Sequence, residues 1–188
     1  MIKIGITGSI SSGKTTASRM LSSNRAPLFN ADKIVKKLYA NKNLKKIIAK
    51  KLNFELNSQF KKELKVAIVN KEENLDKLEK IMHPLIRKRM FSFLKKNSKN
   101  QLSFCEIPLL VENKLTKYFD KIIFVKSRKS LRLKRYKLMG GSEKWFNFLD
   151  KKQIKDSKKV KFCDHVVVNN KSLNVLKKNL LNIIKKYV

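Results

Sequence analysis

Short apolar runs alternate along the chain with longer stretches of helical period, and that alternation predicts a parallel sheet covered by helices. Strands are expected at 1–7 (MIKIGIT), 26–30 (APLFN), 101–107 (QLSFCEI), 121–126 (KIIFVK) and 165–169 (HVVVN). The stretches between them are long enough for right-handed crossovers. The last helix is the clearest: Leu173, Leu176, Leu180, Ile183, Ile184 and Tyr187 fall on one face, and lysines fill the other. Residues 33–100 hold amphipathic stretches and no convincing strand; one helix is expected over 85–94, starting straight after Pro84. This reads as a helical insertion between the second and third strands. A further zone, about 137–161, joins the Gly140–Gly141 pair to dense positive charge and reads as an irregular, mobile flap. The expected class is α/β, a parallel sheet of about five strands flanked by helices.

A length of 188 residues fits one domain with a small appendage, and an apolar share of 42% with eleven phenylalanines implies a packed interior. Against 14 acidic residues stand 46 lysines and arginines, a net charge of +32. Such a charge favours anionic partners. The lysines are spread over the whole chain beside many asparagines and isoleucines, so the excess reads as a solvated surface with no dedicated patch for a polymer. No aromatic-interleaved basic motif is present, and no specific nucleic-acid partner is expected. Two distant cysteines, Cys105 and Cys163, exclude a disulfide framework or zinc cluster and read as buried thiols. With no secretory signal and no apolar run long enough to span a bilayer, a soluble cytoplasmic protein without a membrane partner is expected. The pattern marks no oligomer interface.

Candidate chemistry concentrates first at Gly8-Ser9-Ile10-Ser11-Ser12-Gly13-Lys14-Thr15, a match to G-x-x-x-x-G-K-[ST] between an expected strand and a helix opening at Thr15 or Thr16. Glycines let backbone N–H groups and the helix N-terminus close around phosphate oxygens. Lys14 would reach the β and γ phosphates of a nucleoside triphosphate, and the Thr15 hydroxyl would ligate Mg²⁺. ATP contacts are thus expected from residue 8 through Thr16.

Other candidates lie at strand ends, where an open parallel sheet binds its ligands. Asp32 follows the second strand and either accepts the proton of an acceptor hydroxyl or caps a helix starting at Lys33. Glu106 either holds Mg²⁺ through water or is a solvated strand end. Pro108 stops the third strand, and Leu109, Leu110 and Val111, with Glu112 at the rim, would wall an acceptor pocket, although Leu-Leu also suits plain core. His83-Pro84 reads as an acceptor residue or as a turn between helices. Arg128, Arg132 and Arg135 share a helix after the fourth strand and would face phosphates or solvent.

Together these pieces resemble the dephospho-coenzyme A kinase family. The carriers are GITGSISSGKTT at the start, NADKI at 30–34, HPLI at 83–86, IPLLVEN at 107–113, LKRYK at 133–137, Gln153, and DHVVVNN at 164–170. The resemblance implies a P-loop core, a helical acceptor-binding region at 33–100 and a lid at 135–161. It implies phosphorylation of the ribose 3′-hydroxyl of dephospho-CoA by ATP. Asp32 would face the acceptor hydroxyl, Lys14 and Thr15 the phosphates and Mg²⁺, and Arg135 the ATP phosphates. His83 and the segment from Pro108 to Glu112 would line the acceptor side, and Asn169 would approach the adenine. Ser9 and Ser11 stand where the family usually has glycine, Lys137, Met139 and Leu149 fill places where its lid carries arginines, and Glu106 replaces a more usual aspartate. A kinase of nucleosides or nucleotides and an RNA-associated P-loop ATPase are the alternative readings. A GTPase is disfavoured, because NNKS at 169–172 lacks the aspartate of N-K-x-D.

Overall fold

In the computed structural model, which describes residues 1–22 and 26–188, five strands form one sheet. They are β1 (Ile2–Thr7), β2 (Leu28–Asn30), β3 (Leu102–Glu106), β4 (Lys121–Lys126) and β5 (His165–Val168), all parallel, in the order β2-β3-β1-β4-β5. Ile6 and Asn30 both stand in register with Glu106, so the carboxyl ends of β1, β2 and β3 are level at one edge. The second strand is shorter than expected, because Pro27 has no N–H for the ladder, although its carbonyl accepts from Phe104. Central strands carry apolar residues on both faces: Ile4, Ile6, Phe104, Cys105, Ile123 and Phe124 are all fully buried, as strands covered on two sides require. At the edge, β5 alternates, with Val167 buried and Val166 and Val168 exposed.

One face of the sheet is covered by α1 (Lys14–Ser22) and α9 (Leu173–Ile184), whose Ala17, Leu21, Leu176 and Leu180 pack on Ile4, Ile6, Phe104, Ile123 and Val125. The expected apolar face of the last helix holds except at its first residue, Leu173, which is exposed. Ser172 caps that helix by accepting from the Val175 N–H.

The chain divides into two compact units, Met1–Asn30 with Leu94–Val188, and Ala31–Phe93. The second unit is helical: α2 (Ala31–Leu38), α3 (Lys42–Leu52), α4 (Phe60–Asn70) and α5 (Glu73–Lys96), the last running past the unit's end. Leu44, Ile48 and Leu52 on α3 and Phe60, Leu64 and Ile68 on α4 recur at every fourth position and are buried. Asn41 caps α3 by accepting from Leu44, and Asn53 closes it in the left-handed conformation.

Two expectations are corrected here. Pro84 does not start a helix; it lies inside the 24-residue α5. A proline there removes a single hydrogen bond, and the buried stripe of Leu78, Met82 and Met90 carries the helix through it. Nor is the zone at 137–161 irregular: it holds the end of α6 (Lys129–Leu138), then α7 (Glu143–Lys152) and α8 (Asp156–Lys159). Gly140, at φ +82°, only breaks the chain between α6 and α7. Fully buried Phe146 packs on Tyr136 at 5.7 Å and under the Arg132 guanidinium at 5.6 Å, which orders α7 against α6. Among the described residues, no helix is long and apolar enough to cross a membrane.

Candidate active site

The loop between β1 and α1 turns on Gly8 (φ +151°) and Gly13 (φ +99°). A Cβ at Gly8 would strike the Val125 carbonyl, and one at Gly13 the Asn169 side-chain amide, so both positions need glycine for space as well as for torsion. Ser11 takes φ +54°, the left-handed region, without being glycine. The loop therefore wraps as a glycine-rich one would. Lys14 folds back so that its Nζ donates to the Ser9 carbonyl at 2.9 Å. Of the opening N–H groups of α1, that of Ala17 donates to the Gly13 carbonyl at 3.0 Å, and a helix N-terminus that follows such a loop is a ready donor for an anion. The Ser12 hydroxyl is buried without a hydrogen-bond partner among the described residues.

Glu106, at the end of β3, is 1% exposed and is the centre of a polar cluster. Thr15 Oγ1 donates to its Oε1 at 2.5 Å, while Ser18 Oγ (2.8 Å) and Asn30 Nδ2 donate to Oε2. Three elements thus meet on one carboxylate: α1, β2 and β3. It is not a solvated strand end. Donating its hydrogen bond to Glu106, the Thr15 hydroxyl keeps oxygen lone pairs for a cation, and among the described residues Oε1 accepts one hydrogen bond, from Thr15. A hydroxyl beside a carboxylate is a hard-oxygen donor set that suits Mg²⁺ with phosphate oxygens completing its shell.

Across the loop, Asn169 is buried and donates its Nδ2 to the Ser12 carbonyl at 2.9 Å. Arg135 donates to the Asn169 carbonyl at 2.9 Å, the Ser127 hydroxyl at 3.1 Å and, at 3.4 Å, the Ser12 carbonyl. Both residues therefore brace the loop from the β4–β5 side. Arg132 is buried, with NH1 on Asp150 at 2.6 Å and on the Ile10 carbonyl at 3.4 Å; Arg128 is exposed at the start of α6. The three arginines do not form one phosphate-facing stripe.

The segment after α7 also reaches the loop. Gln153 Oε1 accepts from Ile10 N–H at 3.1 Å, and Asp156 accepts from the Ser9 hydroxyl. A cavity of about 650 Å³ lies here, lined by Ser9, Arg132, Asp150, Gln153, Lys155 and Asp156 among others. Sequence reasoning singled out Gln153 and missed Asp150 and Asp156. Their signal is faint: acidic residues are scarce at 137–161, so each one is a candidate partner for a buried cation or a loop hydroxyl.

Acceptor candidates separate. The Pro108 carbonyl accepts from the Thr7 hydroxyl at 3.1 Å, and Leu109 is half-buried. Leu110 and Val111 are core, Leu110 fully buried against Gly5, so neither walls a pocket. The Glu112 Oε1 is engaged by the Ile154 N–H and by Lys159. In the helical unit, α2 opens at Ala31, two residues earlier than expected, which puts the exposed Asp32 in its first turn, two residues after Asn30. His83 lies half-buried in α5, and burial, aided by the Arg87 charge one turn on, holds it below its ordinary 6.5. Cys105 is buried, pushed up to about 12 by burial, and Cys163, only half-buried, is pushed to about 11; neither thiol is a nucleophile.

The profile of a protein family described as dephospho-CoA kinase matches residues 2–174. A dephospho-CoA kinase of Bartonella henselae is 31% identical over 187 residues, covering 97% of this chain and 96% of its own. A solved structure of a Thermus thermophilus protein superposes with a TM-score of 0.81 at 26% identity, over 100% of this chain and 98% of that one. The dephospho-CoA kinase of Campylobacter jejuni superposes with a TM-score of 0.64 at 25% identity, over 98% and 96%.

Proposed function

The chain belongs to the dephospho-CoA kinase family, kinases of the last step of coenzyme A synthesis, and from that membership we propose how its residues carry phosphoryl transfer from ATP to dephospho-CoA. The observation that carries the assignment is the pairing of the 8–15 loop with the Thr15–Glu106 cluster at the same sheet edge. The loop's N–H groups and Lys14 bind the triphosphate, Lys14 exchanging the Ser9 carbonyl for phosphate oxygens. Thr15, and Glu106 through water, would hold Mg²⁺, which would supply charge neutralisation on the transferring group. Arg135 and Asn169 keep the loop's Ser12 carbonyl in place, and Arg135 adds positive charge on the side where the adenosine of ATP would lie.

The helical region at 33–100 takes the acceptor, with Asp32 and His83 as its polar contacts, and the lid at 135–161 covers ATP. Asp32 orients the ribose 3′-hydroxyl and takes its proton as the O3′–P bond forms and the bond from γ-phosphorus to the bridging oxygen breaks, releasing ADP. His83, which burial and the Arg87 charge hold below its ordinary range, hydrogen-bonds the acceptor. The free state of both cysteines supports a reducing, cytoplasmic setting.

Steady-state kinetics of Asp32→Asn test the role of the carboxylate. We expect kcat to fall by about 10²–10⁴, the range of general acid–base catalysis, with ATP affinity nearly unchanged, while Lys14→Ala damages both. Wild-type turnover in Asp32→Asn would reduce Asp32 to a favourable charge at the start of α2.

A further inference from the structure

The segment 153–159 engages two different parts of the core unit in alternation. Gln153 and Asp156 hold Ile10 and Ser9 at the tip of the nucleotide loop. The Ile154 N–H, at 3.3 Å, and the Lys159 ammonium, at 2.5 Å, both meet a single oxygen, Oε1 of Glu112. Lys159 is fully buried, and the Glu112 side chain is 15% exposed. The other carboxylate oxygen, Oε2, is buried without a hydrogen-bond partner among the described residues. Glu112 is itself anchored: it sits two residues after the fully buried Leu110, on a turn tied to β1 by the Thr7–Pro108 hydrogen bond. A buried ammonium facing a carboxylate resists displacement, because separating the two strands a charge away from water.

We infer that Glu112 and Lys159 are a positioning pair, which seats the segment 153–159 so that Gln153 and Asp156 fix the tip of the nucleotide loop in a shape ready for ATP. The inference rests on the reading of the 8–15 loop as the ATP site. It moves Glu112 from the rim of an acceptor pocket to the donor side of the reaction. Ser9 and Ile10 lie opposite the Gly13–Thr15 end of the loop, so their mobility would be felt as a weaker grip on the triphosphate. Preorganisation of this kind acts on substrate affinity more than on the chemical step.

The test is steady-state kinetics of the full chain carrying Glu112→Gln, Lys159→Met, or both. In each variant the KM for ATP is expected to rise about tenfold, with the KM for dephospho-CoA within about twofold and kcat at saturating ATP within about threefold. The double variant is expected to be no worse than the worse single one, because the residues act as a unit. Each single variant leaves its partner's charge unpaired, whereas the double variant strands neither charge and keeps most of the side-chain volume, so it reports even if a single variant loosens the fold. An unchanged KM for ATP in Lys159→Met would overturn the inference. So would a raised KM for dephospho-CoA in Glu112→Gln that Lys159→Met does not share, since that places Glu112 on the acceptor. Should the wild-type protein turn over no dephospho-CoA, the family reaction fails instead; ADP titrated into the same variants then still reads the pair, and equal affinities overturn it.

Discussion

Ser11 sits at φ +54°, where a side chain with a Cβ costs roughly 1–2 kcal/mol and glycine costs nothing. Glycine's looser unfolded chain offsets most of that difference. Ser11→Gly is therefore expected to change stability by less than about 1 kcal/mol, whereas Ser11→Val, β-branched in the left-handed region, destabilises by about 1–3 kcal/mol and weakens ADP binding. Thermal unfolding with ADP titration checks both. Ser9 differs in kind, because its hydroxyl meets Asp156, a contact no glycine can make. Both serines were legible in the sequence as departures from a glycine-rich loop. Their partners were not, since a hydrogen bond across 147 residues of chain leaves no local trace. Glu106 illustrates the same limit: its position at a strand end was legible, but its three donors come from two other elements, Thr15 and Ser18 from α1 and Asn30 from β2. Glu106→Gln would turn an amide N–H toward those donors, and the Mg²⁺ concentration for half-maximal activity is expected to rise at least about tenfold, a shift of ~1.4 kcal/mol in ion affinity. A Mg²⁺ titration of turnover reads it.

At the scale of elements, periodicity located the strands because each is a compact apolar run, and it failed where one local signal was allowed to outweigh the pattern. Pro84 was read as a boundary, yet Leu78, Met82, Ile86, Met90 and Leu94 continue at every fourth position on both sides of it, and Pro84 itself is exposed. Replacing it restores the missing N–H and relieves the ring's clash with the preceding turn, so Pro84→Ala is expected to stabilise α5 by about 1–3 kcal/mol. A higher Tm by circular dichroism is the readout; a lower one would mean that the proline ring itself supports the fold at this position. At 137–161, density of charge and the Gly140–Gly141 pair masked two helices. Their order depends on Phe146 packing between Tyr136 and Arg132, with Asp150 neutralising the guanidinium. The sequence offers those residues but not their meeting.

For the whole molecule, the strands could be placed in sequence but not in space: the order β2-β3-β1-β4-β5 follows from crossovers that carry β2 and β3 to one side of β1 and β4 and β5 to the other. That order brings Asn30, Glu106 and Thr15 to one carboxylate and Asn169 and Arg135 to one carbonyl, and so assembles the site at the switch in chain direction. If the net charge of +32 has a function, it belongs to this scale: it would draw polyphosphate substrates toward a cavity lined by Lys129, Arg132, Lys151 and Lys155. Raising salt from about 0.01 M to about 1 M shortens the screening length from about 30 Å to about 3 Å, and kcat/KM for ATP is expected to fall about tenfold over that range. A flat profile would make the lysine excess a matter of composition alone. The account as a whole stands on the acceptor. Purified protein with Mg-ATP, assayed for ADP release against dephospho-CoA, nucleosides, nucleoside monophosphates and RNA, is expected to respond to dephospho-CoA and to give a product phosphorylated on the ribose 3′ oxygen; ADP release that ignores dephospho-CoA and rises with a nucleotide or RNA would contradict it.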